Sequence, residues 1–120
     1  TVVPAAHAAS RTAMSWVLRA PPARTEGLGW GVGGRLGGGR LLAATMAGSA
    51  ATVLLLGLWA LPALGACLLV TGALAALGRR RLGGMSGDVA GSVQQLSEIA
   101  VLLLGAAIAT GGWNRPPWWP

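Results

Sequence analysis

Leu41–Gly78 reads LLAATMAGSAATVLLLGLWALPALGACLLVTGALAALG, without one charged side chain. A membrane-spanning helix needs roughly 20 apolar residues at a rise of about 1.5 Å each, and this run is nearly twice that long. One helix does not use such a length; two helices joined by a tight turn do. Pro62 stands near the middle, behind Gly57, Leu58, Trp59, Ala60 and Leu61. Proline ends or kinks a helix, and tryptophan favours the membrane–water interface. The pattern predicts a helical hairpin, Leu41–Ala60 and Pro62–Gly78, with Trp59 at its outer turn. A buried hairpin in a soluble bundle is the competing reading, but the chain offers no polar face to cover it.

Composition agrees. Of 120 residues, 53% are hydrophobic and only 10% charged, and the mean hydropathy is +0.61. Soluble domains carry about 25% charged residues, and a particle this small cannot hide so much apolar side chain in one core. An ordinary soluble enzyme and a disordered tail are both excluded. The single Cys67 leaves no internal disulfide framework and no multi-cysteine metal site. All nine basic residues are arginine, against three acids, for a net charge of +6. Thr1–Ala20 contains Arg11 and no continuous apolar core, so it does not read as a signal peptide. A start at Thr1 rather than Met leads us to expect a processed or incomplete chain.

Outward from the hairpin, Val89–Thr110 forms a third apolar segment, carrying Gln94, Gln95 and Glu98. At helical spacing Gly87, Gly91, Gln94, Glu98, Val101 and Gly105 share one face. Ionisable groups facing lipid are costly, so this face is expected to turn inward, towards other helices or a wet cavity. Upstream, Val3–Ala20 reads as the end of a helix, with His7, Arg11, Ser15 and Arg19 on one face and Pro21–Pro22 as its stop. Gly27–Gly39 is too glycine-rich for a helix. The tail Gly111–Pro120, with Trp113, Trp118 and Trp119 among three prolines, reads as an interfacial, non-helical end.

The expected fold class is thus all-α: a polytopic membrane helical bundle of about three spanning helices plus a partial amino-terminal helix. Its parts are a loop at 21–40, the hairpin at 41–78, an Arg/Gly loop at 79–88 and a last helix at 89–110. Arg24, Arg35 and Arg40 precede the hairpin, and Arg79, Arg80 and Arg81 follow it. Two spans return the chain to the side it left, so both clusters share one side, and the positive-inside bias makes that side cytoplasmic. The hairpin turn and the tail, where Arg115 stands alone, fall outside. This placement accounts for the high basicity without a nucleic-acid partner.

Gly29, Gly31 and Gly34 satisfy G-x-G-x-x-G, but no strand precedes them, and 20 glycines make the match worthless. No His/Cys/Asp/Glu cluster has metal-ligand spacing, and His7, the only histidine, has no nucleophile beside it in sequence. The stretch that can carry chemistry is Arg79-Arg80-Arg81-Leu82-Gly83-Gly84-Met85-Ser86-Gly87-Asp88-Val89. Basic residues, a glycine turn, and Ser and Asp at a helix start make a corner suited to anions and to a metal. Free N–H groups at a helix start hold phosphate oxygens, and a carboxylate there can hold Mg²⁺. The bland alternative is capping by Ser86 or Asp88, worth about 1 kcal/mol, with the arginines anchoring the membrane edge.

The run RRRLGGMSGDVAGSVQQLSEIAVLLL (Arg79–Leu104) resembles the carboxy-terminal signature of the adenosylcobinamide-GDP ribazoletransferase (cobalamin synthase) family. There an Arg-rich loop, GG-x-[TS]-GD and a helix with a later Glu occur in this order. A second likeness lies upstream, where Arg11 on an apolar helix precedes APPARTEGLG (Ala20–Gly29), similar to the family's YAR-x-EGLG-like loop. The two matches span most of the chain. The resemblance implies a multi-span, inner-membrane, Mg²⁺-dependent transferase of cobalamin assembly. In it α-ribazole or its phosphate attacks the cobinamide phosphate of adenosylcobinamide-GDP, and GMP leaves. It also implies roles: Asp88 for metal or nucleotide contact, with Gly83, Gly84, Ser86 and Gly87 shaping the turn. Arg11, Arg24 and Arg79–Arg81 would neutralise phosphates, and Glu98 would be a buried polar contact. Phosphoryl transfer suits such parts, because its catalysis is mostly positioning and charge neutralisation.

The departure is that the family's Asp-rich motif has no counterpart here, where Asp88 is the only aspartate. We therefore expect the carboxy-terminal portion of a larger enzyme, with an amino-terminal remainder as its partner and no activity alone. Two readings compete: a non-catalytic small integral membrane subunit, and a membrane phosphoryl-alcohol transferase acting on lipid.

Overall fold

The computed structural model describes residues 1–23, 31, 35 and 37–111. Arg24, most of the glycine-rich segment and the Trp/Pro tail lie outside them. The described residues form four helices and no strand: α1 (Val2–Leu18), α2 (Gly38–Leu56), α3 (Ala60–Leu82) and α4 (Gly87–Thr110). A single 3₁₀ turn, Gly57–Trp59, joins α2 to α3. The chain is an all-helical membrane bundle: Gly38–Leu82, divided by that turn, and Gly87–Thr110 are long and apolar enough to cross a bilayer.

The hairpin turns one residue group earlier than Pro62. Gly57 takes φ 59°, a conformation side-chain-bearing residues avoid, and ends α2 with its N–H on the Val53 carbonyl. Pro62 then sits in the first turn of α3, where its missing N–H would have had no intrahelical acceptor. Both arms also run longer than expected. Gly38, Gly39 and Arg40 form the first turn of α2, and Arg79–Arg81, expected in a loop at 79–88, form the last turn of α3. Arginine is a good helix former, and its charge complements the negative carboxyl end of the helix dipole. The stop is Gly83, at φ 76°, whose N–H closes on the Arg79 carbonyl at 3.2 Å. The last helix starts at Gly87 rather than at 89, because Ser86 caps it.

Helices α1 and α4 run antiparallel in close contact, α1 also lies along α2, and α3 packs on α4. α2 and α3 touch little beyond their turn. Between α1, α2 and α3 lies a cavity of about 200 Å³, bordered by Trp16, Ser49, Leu64 and Cys67. The buried face of α1 is small throughout: Ala5, Ala6, Ala9, Ser10, Ala13 and Val17. Large side chains point outward instead, with Leu54 76% and Leu69 77% exposed. Small residues inside and leucines outside is the arrangement expected of helices packing in lipid, where backbones gain by close approach. In water the same surface would be an aggregation hazard.

Gly48 shows how close the approach is. A Cβ there would overlap Thr12 Oγ1 and stand 3.2 Å from the Ala8 carbonyl oxygen. Gly48→Val is expected to cost about 1–3 kcal/mol by overpacking, read as a lower unfolding midpoint in detergent micelles. Adding Thr12→Ala, which removes the nearest atom, should recover part of that loss. Equal midpoints for Gly48→Val and the unsubstituted chain would show that α1 and α2 do not meet there.

Candidate functional site

One end of the bundle gathers the carboxyl ends of α1 and α3 and the amino ends of α2 and α4. The corner between α3 and α4 is built in four residues. Gly83 ends α3; Gly84 and Met85 are buried; Ser86 Oγ accepts a hydrogen bond from the Val89 N–H at 3.2 Å and starts α4. The N–H groups of Gly87 and Asp88 then open the helix without intrahelical acceptors. The segment after α1 docks against this corner. Ala23 N–H donates to the Met85 carbonyl at 2.7 Å, and Met85 N–H donates to the Pro21 carbonyl at 2.9 Å. These bonds make a parallel bridge between Pro22 and Met85. A Cβ on Gly84 would stand 2.8 Å from the Pro21 oxygen and 2.9 Å from the Ala23 nitrogen. Only glycine lets these two backbones meet.

The three arginines of α3 do not act as one cluster. Residues 79 and 81 lie about 200° apart around a helix. Arg79 borders a crevice with Val17, Ala20, Gly84, Met85 and Val89. Arg81 faces an open groove of about 590 Å³ on the other flank, shared with Leu77, Asp88, Val89 and Ser92. Asp88 is exposed in the first turn of α4, and Gly83 and Gly87 flank it on the surface. The groove thus sets a carboxylate, a guanidinium and open helix N–H groups beside an apolar wall. Arg19 at the end of α1, whose guanidinium lies 3.5 Å from where a Gly38 Cβ would stand, adds positive charge at this end.

Arg79–Arg81, Gly83, Gly84, Ser86, Gly87 and Asp88 therefore lie at one end of the bundle, with Arg81 and Asp88 sharing the groove and Arg79 and Gly84 the crevice, whereas Arg11 and Glu98 lie elsewhere. Arg11 lies about 10 Å up α1 from its carboxyl end, and Glu98 about 16 Å up α4 from its start. Glu98 is not a buried contact within the bundle either. Its side chain is 25% exposed and its Oε1 stands 3.1 Å from His7 Nδ1, with His7 54% exposed. The buried stripe of α4 runs through Ala90, Val93, Ser97, Val101, Gly105 and Ile108. It is rotated from the expected polar face, which lies at the edge of the packing. The reason is steric: Ser97 and Ala90 admit the neighbouring helices more closely than Gln94 and Glu98 do. Arg19 and the His7–Glu98 pair were not anticipated from sequence. The signal for Arg19 was an arginine just before a proline pair; the His–Glu pair has none short of knowing the register of α1 on α4.

Among the described residues no group of three or more His, Cys, Asp or Glu side chains could hold a metal ion. Asp88 offers one oxygen ligand, and Mg²⁺ bound through carboxylates and substrate phosphates needs at least the phosphates as well. The described residues do not by themselves make a magnesium centre.

Fold and corner together define a membrane-embedded helical protein with a basic, glycine-shaped, anion-friendly corner at one end. The sequence profile of the cobalamin-5-phosphate synthase family matches residues 1–106, and the chain belongs to that family. It is 39% identical over 111 residues to an adenosylcobinamide-GDP ribazoletransferase of Mesorhizobium japonicum, covering 83% of this chain and 39% of that protein. The protein of the same name from Rhizobium johnstonii is 37% identical over 113 residues, covering 90% and 42%. The chain spans about two fifths of the length of these relatives. No solved structure matches it.

Proposed function

We propose that this chain contributes the basic corner of an adenosylcobinamide-GDP ribazoletransferase, the activity its relatives are named for. In the reaction implied, a hydroxyl oxygen of α-ribazole or its phosphate forms a bond to the cobinamide phosphorus. The bond from that phosphorus to the GMP oxygen breaks, and the hydroxyl proton is released. Charge accumulates on the phosphoryl oxygens and on departing GMP. Arg81 and the N–H groups of Gly87 and Asp88 are placed to neutralise it, with Arg79 and Arg80 adding to the field. Asp88 would hold the nucleophile's side of the site or one ligand position of Mg²⁺. Mg²⁺, which the family resemblance implies, would supply further positive charge against the phosphates. The observation that carries this reading is the junction itself. The Pro21–Ala23 and Gly83–Asp88 segments, the two stretches that resemble the family, are hydrogen-bonded to each other.

The orientation follows from charge. Arg19, Arg40 and Arg79–Arg81 share one end, while the described side chains around Gly57–Trp59 at the other carry none. By the positive-inside bias this supports a cytoplasmic position for the corner, in a bacterial inner membrane.

The test is a hybrid in which this chain replaces the matching segment of the Mesorhizobium relative. Membranes carrying the hybrid should release GMP and form the cobalamin product from adenosylcobinamide-GDP and α-ribazole. The 120-residue chain alone should form none, because one aspartate does not complete the site. A well-folded hybrid without product would remove the transferase assignment, and product from the chain alone would show that the described residues suffice.

A further inference from the structure

The groove between α3 and α4 is graded along its length. Arg81 and Asp88 stand at its mouth, at the basic end of the bundle. One turn deeper lie Leu77 and Gly78 on α3 and Ser92 on α4, and Leu74 follows about 10 Å below Arg81. Val89 closes the floor against Gly78, where a Cβ would come 3.3 Å from its Cγ2. Charge is confined to the mouth, and among the described residues Ser92 alone brings a polar side chain to the deeper wall.

At about 590 Å³ the groove has the size of a pocket for a nucleoside or nucleotide. A corrin macrocycle with its amide arms is far larger. What fits is an amphiphile of fixed order, with hydroxyls or an anion at Arg81 and Asp88 and a flat apolar ring against Leu77 and Val89. Two nucleosides take part in the reaction proposed above, on which this inference rests. Guanine carries donors and acceptors around its edge, and between Leu74, Leu77 and Val89 most of them would lose water without gaining a partner. The base of α-ribazole is a methylated benzimidazole with no exocyclic donor. Its free ring nitrogen needs one donor, which the Ser92 hydroxyl supplies.

We propose that this groove is the α-ribazole subsite, with the base against Leu77 and Val89 and the ribose at the mouth. The ribose hydroxyls donate to the Asp88 carboxylate, and Arg81 holds the phosphate where the acceptor carries one. Adenosylcobinamide-GDP stays outside the groove and presents its phosphorus at the mouth. Leu77 is then a specificity-determining residue, and at 51% exposed it can be replaced without opening the bundle.

The test uses vesicles carrying the hybrid enzyme described above. Equilibrium binding of radiolabelled α-ribazole and of adenosylcobinamide-GDP is measured separately, beside the KM for each. Leu77→Ser should weaken α-ribazole about tenfold, the lower end of what an apolar contact contributes to discrimination, and leave the other substrate within about twofold. The hybrid should prefer α-ribazole to the same riboside without its methyl groups, and Leu77→Ser should lose that preference. Leu69→Ser, on the outward side of the same helix, should change neither substrate. Unchanged α-ribazole binding in Leu77→Ser, or none in the hybrid itself, would overturn the proposal. So would a loss confined to adenosylcobinamide-GDP, which would put GMP in the groove. Leu77-dependent binding of α-ribazole without GMP release would keep the subsite and remove the transferase reading.

Discussion

In the hybrid enzyme, Asp88→Ala is expected to lower GMP release by about 10²–10³-fold, the usual loss when one preorganised electrostatic contact is removed from a reaction centre. Stability should barely move. Asp88 is exposed, and the cap of α4 is the Ser86 hydroxyl, which the substitution leaves in place. All that Asp88 gives the fold is a negative charge near a helix amino end, worth about 0.3–1 kcal/mol. Activity and folding are thus separable at this residue, as they are not at most positions of so small a bundle. Asp88→Asn sharpens the reading, since it keeps the shape and one oxygen while removing the charge. A loss like that of alanine assigns the role to the charge, and a much smaller loss to hydrogen bonding. Steady-state GMP release and thermal unfolding of the same preparations decide it. A change of less than about threefold in both variants would return Asp88 to a plain helix-start residue.

Much of this architecture is legible from charge alone. A run from Leu41 to Gly78 without a charge has to fold back on itself in a membrane, and Gly57 with Pro62 marks where. The ends of the arms were harder to read, because arginine serves equally in a loop at the membrane edge and in the last turn of a helix. The decision for Arg79–Arg81 falls to Gly83, whose left-handed backbone places the stop beyond them. The rotation of α4 is hard to read from sequence for a related reason. Polarity put Gln94 and Glu98 inside, but packing in lipid is decided by size, and Ser97 and Ala90 are smaller. The candidate corner was visible as a motif, yet its docking on Pro21–Ala23 joins segments some 60 residues apart, through backbone atoms that carry no side-chain signature. The His7–Glu98 pair is more remote still, and follows only from an antiparallel register that no local pattern encodes.

The corner's glycines are expected to separate into three classes on substitution by alanine, and Gly84 should be the severe one. Its Cβ would press on the Pro21 oxygen and the Ala23 nitrogen, which are backbone atoms and cannot rotate aside. The bridge must open, giving up two hydrogen bonds of about 1 kcal/mol each and adding overpacking strain of about 1–3 kcal/mol. A loss of about 3 kcal/mol would leave a bundle this size close to unfolding at ambient temperature, and the hybrid with little activity. Gly83→Ala has open space but a positive φ, and should cost about 1 kcal/mol. Gly87→Ala has neither constraint: nothing lies within 4 Å of its Cβ, and its backbone is helical. It should leave stability unchanged or raise it slightly, since alanine favours helix over glycine by about 1 kcal/mol. The ranking is read from unfolding midpoints in detergent, and a Gly84→Ala chain as stable as Gly87→Ala would remove the close approach from the corner. Activity then says what Gly87 is for. Fold and packing do not require glycine there, so a fall in GMP release at full stability marks the face of Gly87 as the side from which the phosphate approaches the helix start.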